Sequence, residues 1–220
     1  MSEIPTVSNA TVGIVTDVKP QRLEYVEQTR RSLLQAAERL YMSKGYNATS
    51  IDAVAAEARF TKGAVYRHFT DKQALFTAVF EQVESDTMAS LEARLGDAAV
   101  SWEAAAGALA GFLDACVEER YRRIVLEEGP TVLGWARWRE LDQQYTGHVL
   151  VQVLSGLMDS GLIVREPADL LARLCCATIA EAALSIAQAD DDRDAIKTRA
   201  LHTMLRMLSG LRATSESPSL

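Results

Sequence analysis

The stretch between residues 47 and 80 constrains the fold most, because it contains three hydroxyl residues placed to cap short helices. Thr49, Thr61 and Thr70 are each followed by apolar residues with the spacing of one helical face. Capping-box partners for Thr49 and Thr70 stand three residues further on, at Asp52 and Gln73. Short helices joined by turns of a few residues predict a helix-turn-helix unit.

The helix that follows Thr61 has two faces with different chemistry. Its inner face is apolar and consists of Ala64, Val65 and Phe69. Its outer face carries Lys62, Tyr66 and Arg67, with Thr61 and Gly63 at the leading end. A basic and aromatic face on a helix that is held from behind fits the major groove of DNA, which is roughly 12 Å wide.

Charge is unevenly distributed along the 220 residues, which together carry a formal net charge of -7. Residues 20–80 contain nine Lys or Arg and six Asp or Glu, whereas residues 81–220 contain 13 and 22. A mildly basic segment joined to an acidic one indicates that only one part of the protein binds nucleic acid.

The remainder of the chain predicts further helices and no strands. A stripe of apolar residues at steps of three and four begins at Trp138 and continues to Leu157. Pro167 stands where another helix would begin, and leucines from Leu201 to Leu211 lie on one side of a last helix. We therefore expect an all-α fold of about nine helices.

Signals for a metal, a membrane or catalysis are weak. Cys116 stands alone, and a bridge between the neighbours Cys175 and Cys176 would be strained, so we expect free thiols and no metal site. No run of about 18 apolar residues occurs and the N-terminus does not have the composition of a secretory signal, so we expect a cytoplasmic protein without a membrane partner. Neither a nucleophile elbow nor a Gly-rich phosphate loop is found, so we expect no catalytic site and no cofactor.

The segment SIDAVAAEARFTKGAVYRHFTDKQALFTAVF, residues 50–80, resembles the DNA-binding domain of the TetR (tetracycline repressor-like) family of transcriptional regulators. The matching positions are Thr61-Lys62-Gly63, Tyr66, His68-Phe69, Lys72 and Leu75-Phe76, and the resemblance covers residues from about 25 to 80. Arg59 departs from the family pattern, because Gly is usual in this turn. Gly adopts a left-handed conformation without steric cost, whereas Arg in that conformation costs about 1 kcal/mol, which a phosphate contact of Arg59 could offset.

This resemblance implies a homodimer in which each subunit inserts one helix into half of a palindromic operator on double-stranded DNA. The positions that resemble the residues nearest the bases are Thr61, Lys62, Gly63 and Arg67. The positions that resemble phosphate-contacting residues of the family are Thr49, Tyr66, His68 and Lys72.

The resemblance also implies a second domain that binds a small apolar or aromatic inducer and forms the dimer. The expected division is a flexible N-terminal arm over residues 1–21, a helix-turn-helix DNA-binding domain over 22–80, a helical ligand-binding and dimerisation domain over 81–212, and a frayed tail over 213–220. The candidate ligand-binding residues are Phe112, Cys116, Trp135, Trp138 and Tyr145. The candidate dimerisation residues are Leu174, Thr178, Leu201, Leu205 and Leu208.

Two alternatives stay open at the level of the sequence. Trp135 and Trp138 could stack on a ligand or pack in the core, and core packing is favoured for Trp138 because it begins the long stripe. The protein is expected to be a repressor that an inducer releases, and not an enzyme. The alternative is a DNA-binding regulator without a small-molecule ligand, either constitutive or controlled by a protein partner.

Overall fold

The computed structural model describes residues 18–95, 101–189 and 191–212, and it is helical almost throughout these ranges. The helices are α1 (Val18–Ala48), α2 (Ile51–Glu57), α3 (Lys62–His68), α4 (Lys72–Leu95), α5 (Trp102–Val117), α6 (Glu119–Tyr121), α7 (Gly129–Leu133), α8 (Trp135–Asp159), α9 (Ala168–Gln188) and α10 (Arg193–Ser209). A π-helical segment, Arg122–Glu128, joins α6 to α7. The all-α prediction of about nine helices is confirmed for the described residues, with the continuous run from α6 to α7 counted as one helix.

The two ends of the chain were expected to be an arm and a frayed tail. Residues 1–17 and 213–220 lie outside the described residues, so most of the arm and the whole tail cannot be compared with the structure. Helix α1 begins at Val18, before the expected domain start at residue 22.

Helix α1 buries the apolar stripe that its sequence predicts. Leu33, Ala37, Leu40 and Tyr41 are all buried in the core of the N-terminal half. The regular part of the helix ends at Gly45, whose φ of 79° and ψ of 166° are accessible to Gly at little cost. The predicted role of Gly45 as the end of this helix is therefore confirmed.

Two of the three predicted helix caps are wrong by one residue. Thr61 caps α3 as expected, because its hydroxyl accepts a hydrogen bond from the Ala64 amide at 3.2 Å. Helix α2 is capped by Ser50, whose hydroxyl accepts from the Ala53 amide at 3.1 Å, and not by Thr49. Before α4, Asp71 accepts from the Ala74 amide at 2.7 Å in place of Thr70.

Helix α4 connects the two halves of the molecule. Leu75 and Phe76 near its start are buried in the N-terminal core, and Met88 and Leu91 near its end pack in the C-terminal half. There α8 packs along α9, while α5 and α10 contact each other and α9. Trp138 at the start of α8 is completely buried, as its place in the predicted stripe favours.

One described helix, α9, is long and apolar enough to cross a membrane by length and composition alone. This is weak evidence, since the core helix of a soluble protein meets the same criteria. Ala180, Ala183 and Ile186 of α9 are buried in the protein core, which accounts for the apolar composition of the helix.

Candidate nucleic-acid interface

Helix α3 is held by its inner face, and its outer face is free. Val65 is fully buried and Phe69, which follows the helix, is 5% exposed, so these two side chains fix the helix against the N-terminal core. Tyr66 is 50% exposed. The other exposed positions of this surface are Thr61, Lys62, Gly63 and Arg67. The structure therefore brings together, on one exposed face, all four residues that were expected nearest the bases.

The turn before α3 has the left-handed conformation that the family pattern requires. Arg59 has a φ of 60° and is the non-glycine residue with positive φ among the described residues. Its amide donates to the Ala56 carbonyl at 3.1 Å, and the Phe60 amide donates to the Ala55 carbonyl at 2.8 Å. Arg59 therefore ends α2 at the position where the family usually has Gly. Its side chain is exposed, and the residue stands three positions before the start of α3 in the sequence.

The basic residues of this surface differ in how firmly they are held. Lys62 donates to Asp52 at 2.8 Å, and this hydrogen bond raises the pKa of Lys62. Because both partners are exposed, this ion pair contributes little to the stability of the fold. No ion pair of the described residues includes Arg59 or Arg67.

Lys72 and His68 are less exposed than the residues of the outer face of α3. The Lys72 ammonium is 4.1 Å from the centroid of the Tyr46 ring and 3.4 Å from the Asn47 carbonyl oxygen, to which it donates. Burial lowers the pKa of Lys72. His68 is half-buried next to Phe69. Lys72 is therefore tied to the end of α1 as well as available at the surface.

Thr49 does not occupy the phosphate-contacting position expected of it. The residue is 2% exposed and its hydroxyl donates to the Gly45 carbonyl at 2.8 Å. This hydrogen bond lies in the turn between α1 and α2, so the Thr49 hydroxyl already has a partner within the protein. Ser50 is the exposed hydroxyl residue at the start of α2.

Among the described residues, Glu128, Val132 and Arg120 of the C-terminal half make polar contacts with this unit. Glu128, at the end of the π-helical segment, accepts from the Tyr46 amide at 3.0 Å. Gln73 donates to the Val132 carbonyl at 2.8 Å. Arg120 donates to Glu38 at 2.7 Å and to Asp86 at 2.8 Å. Sequence reasoning missed these contacts, because each pairs residues far apart in the chain.

The C-terminal half contains a partly open apolar cavity of about 260 Å³ between α4, α5, α8, α9 and α10, close to the lower end of ligand pockets at roughly 300–1,000 Å³. Of the five predicted ligand residues, Phe112 alone lines it. Cys116 and Trp138 are fully buried elsewhere in the core, and Trp138 donates its indole N–H to the Val125 carbonyl at 2.8 Å. Trp135 is 55% exposed and stacks on Trp138, and Tyr145 packs partly buried against the core.

Four of the five predicted dimerisation residues line the cavity, and the fifth packs against the core. Leu174, Thr178, Leu205 and Leu208 line the apolar cavity, whereas Leu201 packs half-buried against the core. Leu174 is nevertheless 59% exposed, and the neighbouring Leu170 and Met207 are 47% and 58% exposed. Leu174 and Met207 therefore belong both to the cavity lining and to an exposed apolar surface of α9 and α10.

A buried acidic cluster, Glu84 and Asp142 with the Tyr121 hydroxyl, stands one helical turn before two lining residues, Met88 and Thr146, and was missed from the sequence. Tyr121 donates to Glu84 at 3.2 Å, and both residues are almost completely buried. Burial raises the pKa of Glu84 well above its usual range, and the charge of Asp142 raises it further. Burial also raises the pKa of Asp142 to about 6. The described residues contain no group of three or more His, Cys, Asp or Glu side chains that could hold a metal ion.

Two family models match the chain, one on each half. Residues 33–79 match the model described as bacterial regulatory proteins, tetR family. Residues 102–211 match the model described as tetracyclin repressor-like, C-terminal domain. The first range contains α2 and α3, and the second contains most of the residues that line the apolar cavity.

Known proteins resemble the chain along most of its length. The Transposon Tn10 TetC protein of Escherichia coli is 27% identical over 158 residues, which are 71% of this chain and 79% of that protein. The crystal structure of a TetR-family transcriptional regulator from Pectobacterium atrosepticum is 30% identical, covers 88% of this chain and 98% of its own, and has a TM-score of 0.78. The structure of RolR with its ligand resorcinol is 20% identical, covers 89% and 100%, and has a TM-score of 0.65.

Proposed function

Because the chain belongs to the TetR family of DNA-binding transcriptional regulators, we propose that it is a homodimeric repressor that binds a palindromic operator and is released by a small-molecule inducer. The observation that carries the proposal is the exposed face of α3, which presents Lys62, Tyr66 and Arg67 on a helix anchored by Val65. The family points to regulation rather than catalysis. Regulators of this family are soluble DNA-binding proteins, and a cytoplasmic location is part of the proposal.

The roles of the DNA-contacting residues follow from their places on this face. Thr61, Lys62, Gly63 and Arg67 enter the major groove near the bases, and an Arg there can bind guanine with two hydrogen bonds. Tyr66, His68, Lys72 and Arg59 contact phosphates on either side of the groove. In a dimer the two α3 helices would lie about 34–36 Å apart, one turn of DNA.

The outer apolar surface of α9 and α10 supports dimerisation through these two helices. Leu170, Leu174 and Met207 are each about half exposed, although leucine and methionine are usually buried. A second copy that packs on this surface by a two-fold axis would cover the same residues of both subunits.

The apolar cavity supports the inducer part of the proposal. Phe112 on its wall packs edge-on against Tyr121 at 5.8 Å, and Tyr121 directly precedes the π-helical segment that ends at Glu128. Glu128 in turn holds the Tyr46 amide beside the helix-turn-helix unit. A ligand that binds a different arrangement of these contacts more tightly would lower DNA affinity by that difference. RolR, a protein of this fold, binds the small molecule resorcinol.

Selection of bound sequences from a random duplex library tests the DNA-binding part, and light scattering of the pure protein tests the dimer. We expect an enriched palindrome with half-sites one helical turn apart, bound by a dimer. Leu174→Glu should produce monomers with weakened operator binding, whereas Leu23→Glu, at an apolar residue of α1 that is 68% exposed, should leave the dimer intact. Enrichment of no sequence, or a wild-type monomer, would refute the proposal.

A further inference from the structure

We propose that the apolar cavity binds an uncharged, mostly apolar molecule whose single hydroxyl or carbonyl group pairs with the Thr146 hydroxyl. This inference rests on the proposed function, because it names the chemical class of the inducer and the residue of α8 that selects it. It goes beyond the cavity itself, whose shape alone specifies no polar group.

Thr146 carries the inference because its hydroxyl has no hydrogen-bond partner. The residue is 5% exposed, lines the cavity, and its Oγ1 is one of the buried polar atoms of the described residues that lack a partner. A buried hydroxyl that has given up water without gaining another partner lowers stability. A ligand that supplies a donor or an acceptor at this point recovers the lost interaction.

Other helical threonines of the chain behave differently. Thr178, which lines the same cavity, donates to the Leu174 carbonyl at 3.0 Å. Thr87 and Thr29 also donate to the carbonyl four residues earlier, at 2.8 and 2.9 Å. Such a bond satisfies a hydroxyl inside a helix without any tertiary partner. Thr146 is therefore the threonine of this cavity whose buried hydroxyl has no partner among the described residues, and a ligand that reaches it would satisfy it.

The remaining wall determines the apolar body of the ligand. Its large side chains are aliphatic, aromatic or thioether groups, among them Met88, Leu109, Phe112, Leu150, Ile179 and Met204. Among the described residues, no Asp, Glu, Lys, Arg or His side chain belongs to the lining. Burial of a matching apolar surface supplies the affinity, and one polar contact supplies the orientation.

The cavity disfavours both anionic and cationic ligands. An anion would find no basic side chain in the lining and would lie near the buried carboxyls of Glu84 and Asp142, each one helical turn before a lining residue. The exposed guanidinium of Arg212 stacks on the ring of the lining residue Trp102 at 4.9 Å and does not belong to the lining itself. A cation would find no carboxylate in the lining, and burying it unpaired is costly.

The test uses matched probes and matched variants of the full-length protein. The probes are para-butylphenol, butylbenzene, para-butylbenzoate and a para-butylbenzyl trimethylammonium salt, and binding is measured by calorimetry without DNA. The variants are Thr146→Val and, as the control, Thr178→Val, which removes a hydroxyl from the same cavity that is already bonded to Leu174.

We expect para-butylphenol to bind the wild type more tightly than the other three probes. Thr146→Val should weaken para-butylphenol about five- to tenfold, the loss of one hydrogen bond, and should leave butylbenzene unchanged or tighter. Thr178→Val should change the ratio of the two affinities by less than about twofold. The melting temperature of each variant without ligand shows that it folds.

Three results would overturn the inference: tighter binding of the carboxylate or the ammonium probe, no binding of para-butylphenol up to its solubility, or equal effects of the two variants on the phenol. These results are distinguishable from failure of the proposed function, because operator release is measured separately by fluorescence anisotropy. Phenol binding that depends on Thr146 but does not release DNA supports the inference and refutes release by inducer.

Discussion

The helix-turn-helix unit and the C-terminal half are both helical, yet they are organised by different interactions. In the first, short helices begin at local caps such as Thr61 and Ser50, and small apolar faces hold them while polar side chains point outward. In the second, long helices surround an apolar cavity and bury the carboxyls of Glu84 and Asp142. The difference indicates that the DNA-binding surface is set by local chemistry, whereas the ligand site depends on packing between distant segments.

The largest expected effect on the free energy of unfolding comes from replacing one of the two stacked tryptophans. Separate substitution of each ring tests how strongly the C-terminal half depends on packing. Trp138→Ala should lower the free energy of unfolding by about 3–5 kcal/mol, because it empties a fully buried site and breaks the bond to Val125. Trp135→Ala should change it by no more than about 0.5 kcal/mol, since this ring is largely exposed. Chemical denaturation measures both, and similar losses would contradict the assignment of Trp138 alone to the core.

Asp142→Asn tests the burial of acidic groups in the C-terminal half. Asp142 has a pKa near 3.8 when exposed and about 6 in the folded protein, so the folded state binds a proton more tightly. Its contribution to stability is therefore greatest below pH 4 and is lost as the pH rises through 6. At pH 8 the variant should be more stable than the wild type by about 2–3 kcal/mol, at roughly 1.4 kcal/mol per pKa unit.

The difference between Asp142→Asn and the wild type should fall below about 0.5 kcal/mol near pH 3.5, where most Asp142 carboxyls are protonated in both states. Thermal melting from pH 3.5 to 8 checks this dependence. A variant that is less stable than the wild type at pH 8 would show that the ionised carboxylate has a stabilising partner.

Arg67→Ala and Lys72→Ala separate base recognition from phosphate contact inside the helix-turn-helix unit. Arg67 is exposed and has no ion pair among the described residues, so its loss should cost about 1–3 kcal/mol at one operator position without changing stability. Lys72→Ala should weaken binding to all sequences alike and lower the salt slope by about one. It should also reduce stability by about 0.5–1 kcal/mol, because the ammonium lies over Tyr46.

Anisotropy titrations of both variants on the selected operator and on a scrambled duplex, at several salt concentrations, measure these effects. If the two variants lose the same affinity on both duplexes, the division of their roles is wrong.

Arg59→Gly gives the smallest expected effect on stability. Gly adopts the left-handed conformation without strain, which raises the stability of the fold by about 1 kcal/mol. The greater freedom of Gly in the unfolded chain lowers the stability by about 0.4–1 kcal/mol. The melting temperature should therefore stay constant or rise slightly, while DNA affinity falls if Arg59 contacts a phosphate. A marked fall in melting temperature would show that the Arg59 side chain itself stabilises the turn.

The same comparison explains how much could be predicted from the sequence. The cap at Thr61, the helix end at Gly45 and the burial of Val65 are each determined by residues within one helical turn. All three predictions are confirmed. The caps at Ser50 and Asp71 were misassigned by one position because neighbouring residues of similar chemistry compete and backbone angles decide between them.

The cavity could not be located in this way. Its wall joins residues as distant as Met88 and Met204, and no local pattern distinguishes a leucine that lines a cavity from one that fills the core. Of the predicted ligand-binding residues, Phe112 does line the cavity, whereas Trp138 is completely buried in the core. The burial of Glu84 could have been predicted from the sequence, because this residue stands one turn from Phe80 and from Met88 in an otherwise apolar stripe.

The claim that α3 enters the groove of DNA is tested most directly by photo-crosslinking. Tyr66→p-benzoylphenylalanine places the crosslinker on the outer face of α3, and Trp135→p-benzoylphenylalanine places it on an exposed aromatic position of the other half. Irradiation of each complex with the selected operator should join position 66 to both half-sites and position 135 to neither. A complex that forms but crosslinks only from position 135, or from neither position, would contradict the account.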